Sequence, residues 1–137
     1  MLSFVVIEHA QLDCYIAKKV ILREYPASQI RFFGTIASAV RSLDEANGSA
    51  GNTPDIVLLD LMMPDGSGFH FLEIFEKLET KKRGLYFIVV LTSSLNKSEL
   101  SRLRGNPLVR IVLDKPMTVK KIQTIIEALH QSQESNF

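Results

Sequence analysis

An aspartate and a lysine, each just beyond an apolar run, are the residues of this sequence best placed to do chemistry. Asp60 follows IVLL (56–59), where an uncompensated carboxylate would cost several kcal/mol. Lys115, just beyond VRIVL (109–113), can provide the compensating charge. The turn after Asp60, LMMPDGSG (61–68), is rich in Pro and Gly and predicts a rigid rim on which the carboxylate is exposed. An exposed aspartate can attack a phosphoryl group and form an aspartyl phosphate.

Phosphoryl transfer also needs positive charge and positioned donors, because the transferred group carries dispersed negative charge. Lys115 and Thr92 can supply donors, and a divalent metal near Glu8 could supply the remaining charge. Asp65 is the nearest second carboxylate, which an aspartyl phosphohydrolase would need as its acid or base. Its neighbours Pro64 and Gly66 favour a turn residue instead.

The elements that must position these groups are five short apolar runs, each followed by a segment of helical period. The runs are SFVVIE (3–8), QIRFF (29–33), PDIVLLD (54–60), LYFIVVLT (85–92) and VRIVL (109–113). The first, third and fourth are continuously apolar, which is typical of strands covered on both faces. Alternating strands and helices predict an α/β fold, a parallel sheet with helices on both faces. Ligands of such sheets bind beyond the carboxyl ends of the strands, where the reactive side chains stand.

Helical stripes and stop signals locate the intervening helices. The predicted inward faces are Ile16, Ala17, Val20 and Ile21; Ile36, Ala37, Val40 and Leu43; Leu72, Phe75 and Leu78; and Val119, Ile122, Ile125, Ile126 and Leu129. The third helix is expected to end at KKRG (81–84), since cations in a last turn and a following glycine are a stop signal. Asn96 and Glu99 have capping-box spacing, and Thr118 is the expected cap of the last helix.

Size and charge narrow the class of protein. The 137 residues predict a single domain over 1–130, with a loop at 47–53 and a polar, flexible tail at 131–137. A net charge of +1 gives no reason to expect direct nucleic-acid binding, and no apolar run approaches the roughly 20 residues that membrane insertion needs. The single cysteine, Cys14, cannot form an internal disulfide and is assigned no redox role. A cytoplasmic location is expected.

Three segments, taken together and in order, resemble the receiver domain of bacterial two-component response regulators, the CheY-like type. They are PDIVLLDLMMPDGSGF (54–69), VVLTSS (89–94) and VLDKP (112–116), and the resemblance covers residues 3 to about 130. It implies a flavodoxin-like, doubly wound, five-stranded parallel sheet of order 2-1-3-4-5. Because it covers nearly the whole chain, a stand-alone receiver is expected.

The resemblance also implies roles for individual residues. Asp60 would be the phosphoacceptor, Thr92 the hydroxyl that switches toward the phosphoryl group, and Lys115 the lysine that pairs with it. The Lys115–Pro116 peptide would be cis. Mg²⁺ would be the cofactor, held by Glu8, Asp60 and the backbone carbonyl of Met62.

The partners implied are a sensor histidine kinase or phosphotransfer protein, which donates the phosphoryl group, and a downstream protein. A monomer or weak homodimer is expected. Such a domain assists its own phosphorylation and dephosphorylation and is otherwise not an enzyme.

Two positions depart from the receiver pattern. Receivers usually carry two adjacent acids after the first strand, the second of which binds Mg²⁺, and here the pair is Glu8-His9. Imidazole suits transition metals better than Mg²⁺, so His9 is expected to weaken Mg²⁺ binding and favour Mn²⁺ or Zn²⁺, unless it is a simple loop residue. Val112 stands where many receivers have Tyr or Phe, so signalling would depend on Thr92 and the loop after it.

The main alternative is a pseudo-receiver, an interaction module that signals without phosphorylation, which the Glu8-His9 departure motivates. A dinucleotide-binding role is weaker. The first strand leads into EHAQ (8–11), without the glycines that let backbone approach a pyrophosphate.

Overall fold

The computed structural model describes residues 2–45, 53–93 and 96–134. Most of the predicted loop at 47–53, Ser94 of the VVLTSS segment and the last three residues of the predicted tail lie outside the described residues. Within the described part of the chain, no helix is long and apolar enough to cross a membrane.

Five parallel strands form the central sheet. They are β1 (Ser3–Ile7), β2 (Gln29–Phe33), β3 (Asp55–Leu59), β6 (Tyr86–Thr92) and β7 (Val109–Asp114). Their order in the sheet is β2-β1-β3-β6-β7, since β4 (Met62–Met63) and β5 (Gly66–Ser67) belong to a separate hairpin. Counted along the chain, β6 and β7 are the fourth and fifth strands of this sheet, so the predicted order 2-1-3-4-5 is confirmed. All residues of β3 and β6 are buried, as their continuously apolar sequences require.

In the described part of the chain, the helices around the sheet are α1 (Gln11–Glu24), α2 (Ile36–Glu45), α3 (Gly68–Glu76), α4 (Thr80–Arg83), α5 (Lys97–Arg104) and α6 (Val119–Glu134). Two buried apolar clusters lie on opposite faces of the sheet, because successive strand side chains alternate in direction. Val5 and Ile7 belong to the cluster under α2, α3 and α5. Phe4 and Val6 belong to the cluster under α1 and α6.

The predicted caps are confirmed, and two helix details are corrected. The Asn96 side chain accepts a hydrogen bond from the Glu99 amide at 2.8 Å, and Thr118 Oγ1 accepts one from the Lys121 amide at 3.2 Å. The alanine of α2 that faces the core is Ala39, while the predicted Ala37 is exposed. The last helix continues through Glu134, so 131–134 extend it; Gln and Glu are good helix formers and no stop signal precedes them.

The third predicted helix divides in two. The amides of Lys77 and Leu78 donate to carbonyls three residues back, which tightens and ends α3, and a separate turn, α4, begins at Thr80. This break lets Leu78 pack against the core while KKRG (81–84) closes the short α4 rather than α3.

A small antiparallel hairpin, not predicted from the sequence, follows Asp60. Strands β4 (Met62–Met63) and β5 (Gly66–Ser67) pair across Pro64 and Asp65, and Gly66 has φ 147°, which an L side chain rarely adopts. The Asp65 carboxylate accepts hydrogen bonds from the Ile36 amide at 2.8 Å and the Ala37 amide at 3.0 Å. The hairpin therefore caps the N-terminus of α2, a helix far from it in sequence.

Gly68 is where α3 approaches the site most closely, and Gly68→Ala tests this contact. A Cβ there would lie 2.7 Å from the Leu61 side chain and 3.1 Å from the Asp60 carbonyl oxygen. We expect the substitution to lower the free energy of unfolding by about 1–3 kcal/mol through overpacking. Gly34→Ala is the control, since its Cβ would meet no described atom within 4 Å. Urea unfolding measures both, and equal effects would contradict the close approach.

Asp65→Ala tests the cap of α2. Hydrogen bonds from the Ile36 and Ala37 amides lower the pKa of Asp65, so its contribution to stability is present above the ordinary carboxyl value and lost as the pH falls through the lower folded value. We expect the variant to melt below the wild type at neutral pH and the two curves to converge in acid. Thermal melts from pH 7 to 2 measure this, with exposed Glu73→Ala as control. A difference that persists unchanged in acid would contradict the cap.

Candidate functional site

The residues that the sequence singles out gather at the carboxyl end of the sheet. Asp60 directly follows β3, and its amide donates to the Ile7 carbonyl at the end of β1. The Lys115 amide donates to the carbonyl of Thr92, the last residue of β6. Backbone hydrogen bonds that continue the parallel ladder therefore fix the side chains of Glu8, Asp60 and Lys115 at one edge, as predicted.

The Lys115 ammonium is the centre of the cluster. Its Nζ donates to Asp13 Oδ2 at 2.9 Å, to Asp60 Oδ2 at 3.2 Å and, at close range, to Glu8 Oε1. The Lys115 side chain is 12% exposed. An ammonium has three N–H donors, so these three carboxylates account for all of them.

Asp60 is buried, which corrects the prediction of an exposed carboxylate on a rim. The residue is only 4% exposed. Lys115 lies against Oδ2, and the Met62 amide donates to Oδ1 at 3.2 Å. A buried carboxylate is costly unless donors compensate its charge, and here the donors that compensate Asp60 also shield it from solvent.

Glu8 is also buried and is tied to its own backbone. Its Oε2 accepts from the amides of His9 at 2.9 Å and Ala10 at 3.3 Å. The His9 side chain, by contrast, is 47% exposed, and its Nδ1 lies 3.6 Å from Glu8 Oε2. Glu8 is therefore fixed, while His9 lies at the mouth of the site.

The site carries more negative than positive charge. Burial, together with the neighbouring Asp60, raises the pKa of Glu8 to about 7 despite the opposing effect of Lys115. Burial alone would lower the pKa of Lys115, but its hydrogen bonds to Glu8 and Asp13 and the charge of Asp60 raise it instead. Two buried carboxylates and a third that is partly exposed share one ammonium, and this excess of negative charge favours a further cation.

The donor set fits a divalent cation. Glu8, His9 and Asp60 each offer one ligand atom, and these atoms all lie within 4.8 Å of one another. The carboxylates suit Mg²⁺, and the imidazole suits a transition metal better. The Met62 amide lies against Asp60, while the role of the Met62 carbonyl as a ligand stays a prediction. An open cleft of about 520 Å³ is lined by His9, one of these three residues, and by hairpin residues such as Met62 and Ser67.

Thr92 stands where predicted, at the end of β6, paired in register with Asp114 of β7 and 1% exposed. Its role as a switching hydroxyl stays a prediction.

The Lys115–Pro116 peptide is cis, which confirms the expectation from the resemblance. Val112 is half-buried beside the core cluster under α5.

Asp13, which the sequence analysis did not assign to the site, is part of it. It lies in the first turn of α1, on the polar side of the helix, and its carboxylate reaches Lys115. The sequence signal was available: a helix that starts three residues after Glu8 brings its first turn over the carboxyl end of the sheet. Cys14, its neighbour, donates from Sγ to the Glu8 carbonyl at 3.6 Å and is a packing residue here.

Asp65 does not reach the site as a free acid or base. Both of its oxygens accept hydrogen bonds from α2. This geometry removes the carboxylate on which the phosphohydrolase hypothesis depended.

Solved structures identify the fold. A two-component response regulator from Cytophaga hutchinsonii matches with a TM-score of 0.83 and 19% identity, over 94% of this chain and 96% of that chain. A response regulator receiver protein from Dyadobacter fermentans matches with 0.81 and 21%, over 95% and 98%. A two-component response regulator from Legionella pneumophila matches with 0.78 and 18%, over 96% and 99%.

No family model matches this chain, and no curated protein matches it. The chain nevertheless has the fold of CheY-like response-regulator receiver domains, with their five-stranded parallel sheet.

Proposed function

We propose that Asp60 accepts a phosphoryl group from a histidine kinase or phosphotransfer protein, and that the modified domain binds a downstream protein differently. The observation that carries this proposal is the contact between the Lys115 ammonium and the Asp60 carboxylate at the sheet edge of a receiver fold. Beyond this self-modification the protein is not an enzyme.

The transfer step follows from the chemistry of the groups. An Asp60 carboxylate oxygen attacks the phosphorus of a phosphohistidine, forming an O–P bond while the P–N bond breaks. The electron pair leaves with the imidazole nitrogen of the donor, which then takes a proton. Lys115 exchanges its contact with the carboxylate for one with the phosphoryl oxygens and so offsets their charge.

Burial of Asp60 sets a condition on this step. Because Lys115 covers Oδ2, the ammonium has to move before a phosphorus atom can reach that oxygen. A cleft lined by His9 and Met62, whose side chains are exposed, lies beside the loop that follows Asp60. A donor therefore approaches from the cleft, past the exposed imidazole.

A divalent cation held by Glu8, His9 and Asp60, with the Met62 carbonyl as a further ligand, completes the proposal. Such a cation would supply positive charge to the phosphoryl oxygens. The two carboxylates permit Mg²⁺, and His9 shifts the preference toward Mn²⁺ or Zn²⁺.

The response of the fold would begin at Thr92, because added charge at Asp60 attracts hydroxyl and ammonium donors. Helix α5 follows Thr92 closely, and its Arg102 guanidinium lies 3.8 Å from the ring centre of Phe69 in α3. With Val112 in place of an aromatic side chain, this pair is one contact of α5 that a shift following Thr92 would disturb.

Intact-mass analysis after treatment with a small phosphodonor tests the proposal. We expect wild-type protein to gain the mass of one phosphoryl group in the presence of Mg²⁺ or Mn²⁺, and Asp60→Asn to gain none, since an amide is no nucleophile here. Asp44→Asn, at an exposed aspartate paired with Lys82, is the control and keeps the wild-type behaviour. Absence of uptake with either metal would favour the pseudo-receiver, whose partner binding would be unaffected by Asp60→Asn.

His9→Asp tests the metal preference. We expect the variant to bind Mg²⁺ about tenfold more tightly, a change typical of substitutions around metal sites, because an oxygen donor replaces the imidazole. Titration calorimetry with Mg²⁺ and Mn²⁺ gives the ratio of affinities, and His70→Asp, at an exposed histidine in α3, is the control. Unchanged Mg²⁺ affinity would show that His9 is not a ligand.

A further inference from the structure

Asp13 is the member of the cluster for which neither the resemblance nor the proposed metal site accounts. It contacts Lys115 Nζ at 2.9 Å, closer than Asp60 does at 3.2 Å. Among the described residues, the acidic and histidine group able to hold a metal ion consists of Glu8, His9 and Asp60, and Asp13 is outside it. Asp13 therefore lies on the lysine side of the site and not on the metal side.

The side chain of Asp13 is the most accessible of the three carboxylates around Lys115. It is 31% exposed, compared with 5% for Glu8 and 4% for Asp60. Glu8 is fixed by two backbone amides and Asp60 by one. The Asp13 carboxylate, by contrast, accepts its hydrogen bond from the Lys115 side chain.

Asp13 and Asp60 also face the same small cavity. Its volume is about 20 Å³, and Glu8, Ala17 and Leu91 complete part of its lining. This is room for about one water-sized group. A negative charge on Asp13 is therefore felt directly by an anion added at Asp60.

We propose that Asp13 is a positioning residue that holds the Lys115 ammonium back from an anionic group arriving at Asp60, and so limits how tightly the site holds a phosphoryl group. The inference rests on the proposed function of Asp60 and adds a residue that sets how tightly the site holds a phosphoryl group. All three N–H donors of Lys115 are engaged with carboxylates, so a phosphoryl oxygen gains a donor only when one carboxylate gives it up.

Two effects of Asp13 act in the same direction. Its carboxylate competes with the phosphoryl group for Lys115, and its charge repels an anion added at Asp60. Asp13→Asn keeps the size of the side chain but removes the charge, and a neutral amide oxygen is a weaker acceptor for an ammonium. The variant is therefore expected to bind a phosphoryl mimic more tightly than the wild type does.

The experiment measures the affinity of each variant for beryllofluoride, a mimic of a phosphoryl group on a carboxylate, at a saturating concentration of Mn²⁺. We expect Asp13→Asn to bind about fivefold more tightly, the size of effect that a partly exposed ion pair provides. Asp13→Glu, which keeps the charge, returns the affinity toward the wild-type value. Asp114→Asn, at an exposed aspartate paired with Lys121, is the matched control and leaves it unchanged.

Two further measurements separate positioning from a purely structural role. Thermal melts of the same variants show whether Asp13 matters only for stability, and the NMR signal of the Lys115 ammonium shows whether its environment changes in Asp13→Asn. Tighter binding with an altered ammonium signal supports the inference. Equal or weaker binding by a stably folded Asp13→Asn overturns it while leaving the proposed function intact. Absence of binding by every variant, wild type included, overturns both.

Discussion

A single buried ammonium balances three carboxylates at the end of the sheet, and the other features of the site depend on that balance. Glu8, Asp13 and Asp60 come from three different segments, and without Lys115 their charges would repel one another in a space that water enters poorly. Burial is the largest cause of the raised pKa of Glu8, and the neighbouring Asp60 adds to it. A metal ion or a phosphoryl group that binds there changes the ratio of negative to positive charge around Lys115, where three carboxylates already share one ammonium.

The sequence was sufficient for the fold and for most of the site. Continuous apolar runs marked β3 and β6, and the alternation with helical segments led to the observed strand order. It was insufficient where the answer depended on packing between distant segments. The exposure of Asp60 depends on how Lys115 folds over it, and the role of Asp13 depends on where α1 begins relative to β1.

The same distinction explains the missed hairpin and the divided helix. Pro64 and Gly66 indicated a turn, but the pairing of β4 with β5 and the contact of Asp65 with α2 involve partners remote in the chain. The spacing of Leu72, Phe75 and Leu78 suited one long helix, yet Leu78 reaches the core after α3 has ended. Local patterns predict which residues turn inward more reliably than they predict where an element stops.

The attachment of Asp65 to α2 has a mechanical consequence. The short segment between Asp60 and α3 is held at one end by the Met62 amide on the Asp60 carboxylate and in its middle by two amides of α2, a helix remote in sequence that packs beside α3. A shift of that segment is therefore shared with α2, which lies against the edge strand β2. A ligand that binds α2 would thus act on the backbone beside Asp60 through the single carboxylate of Asp65.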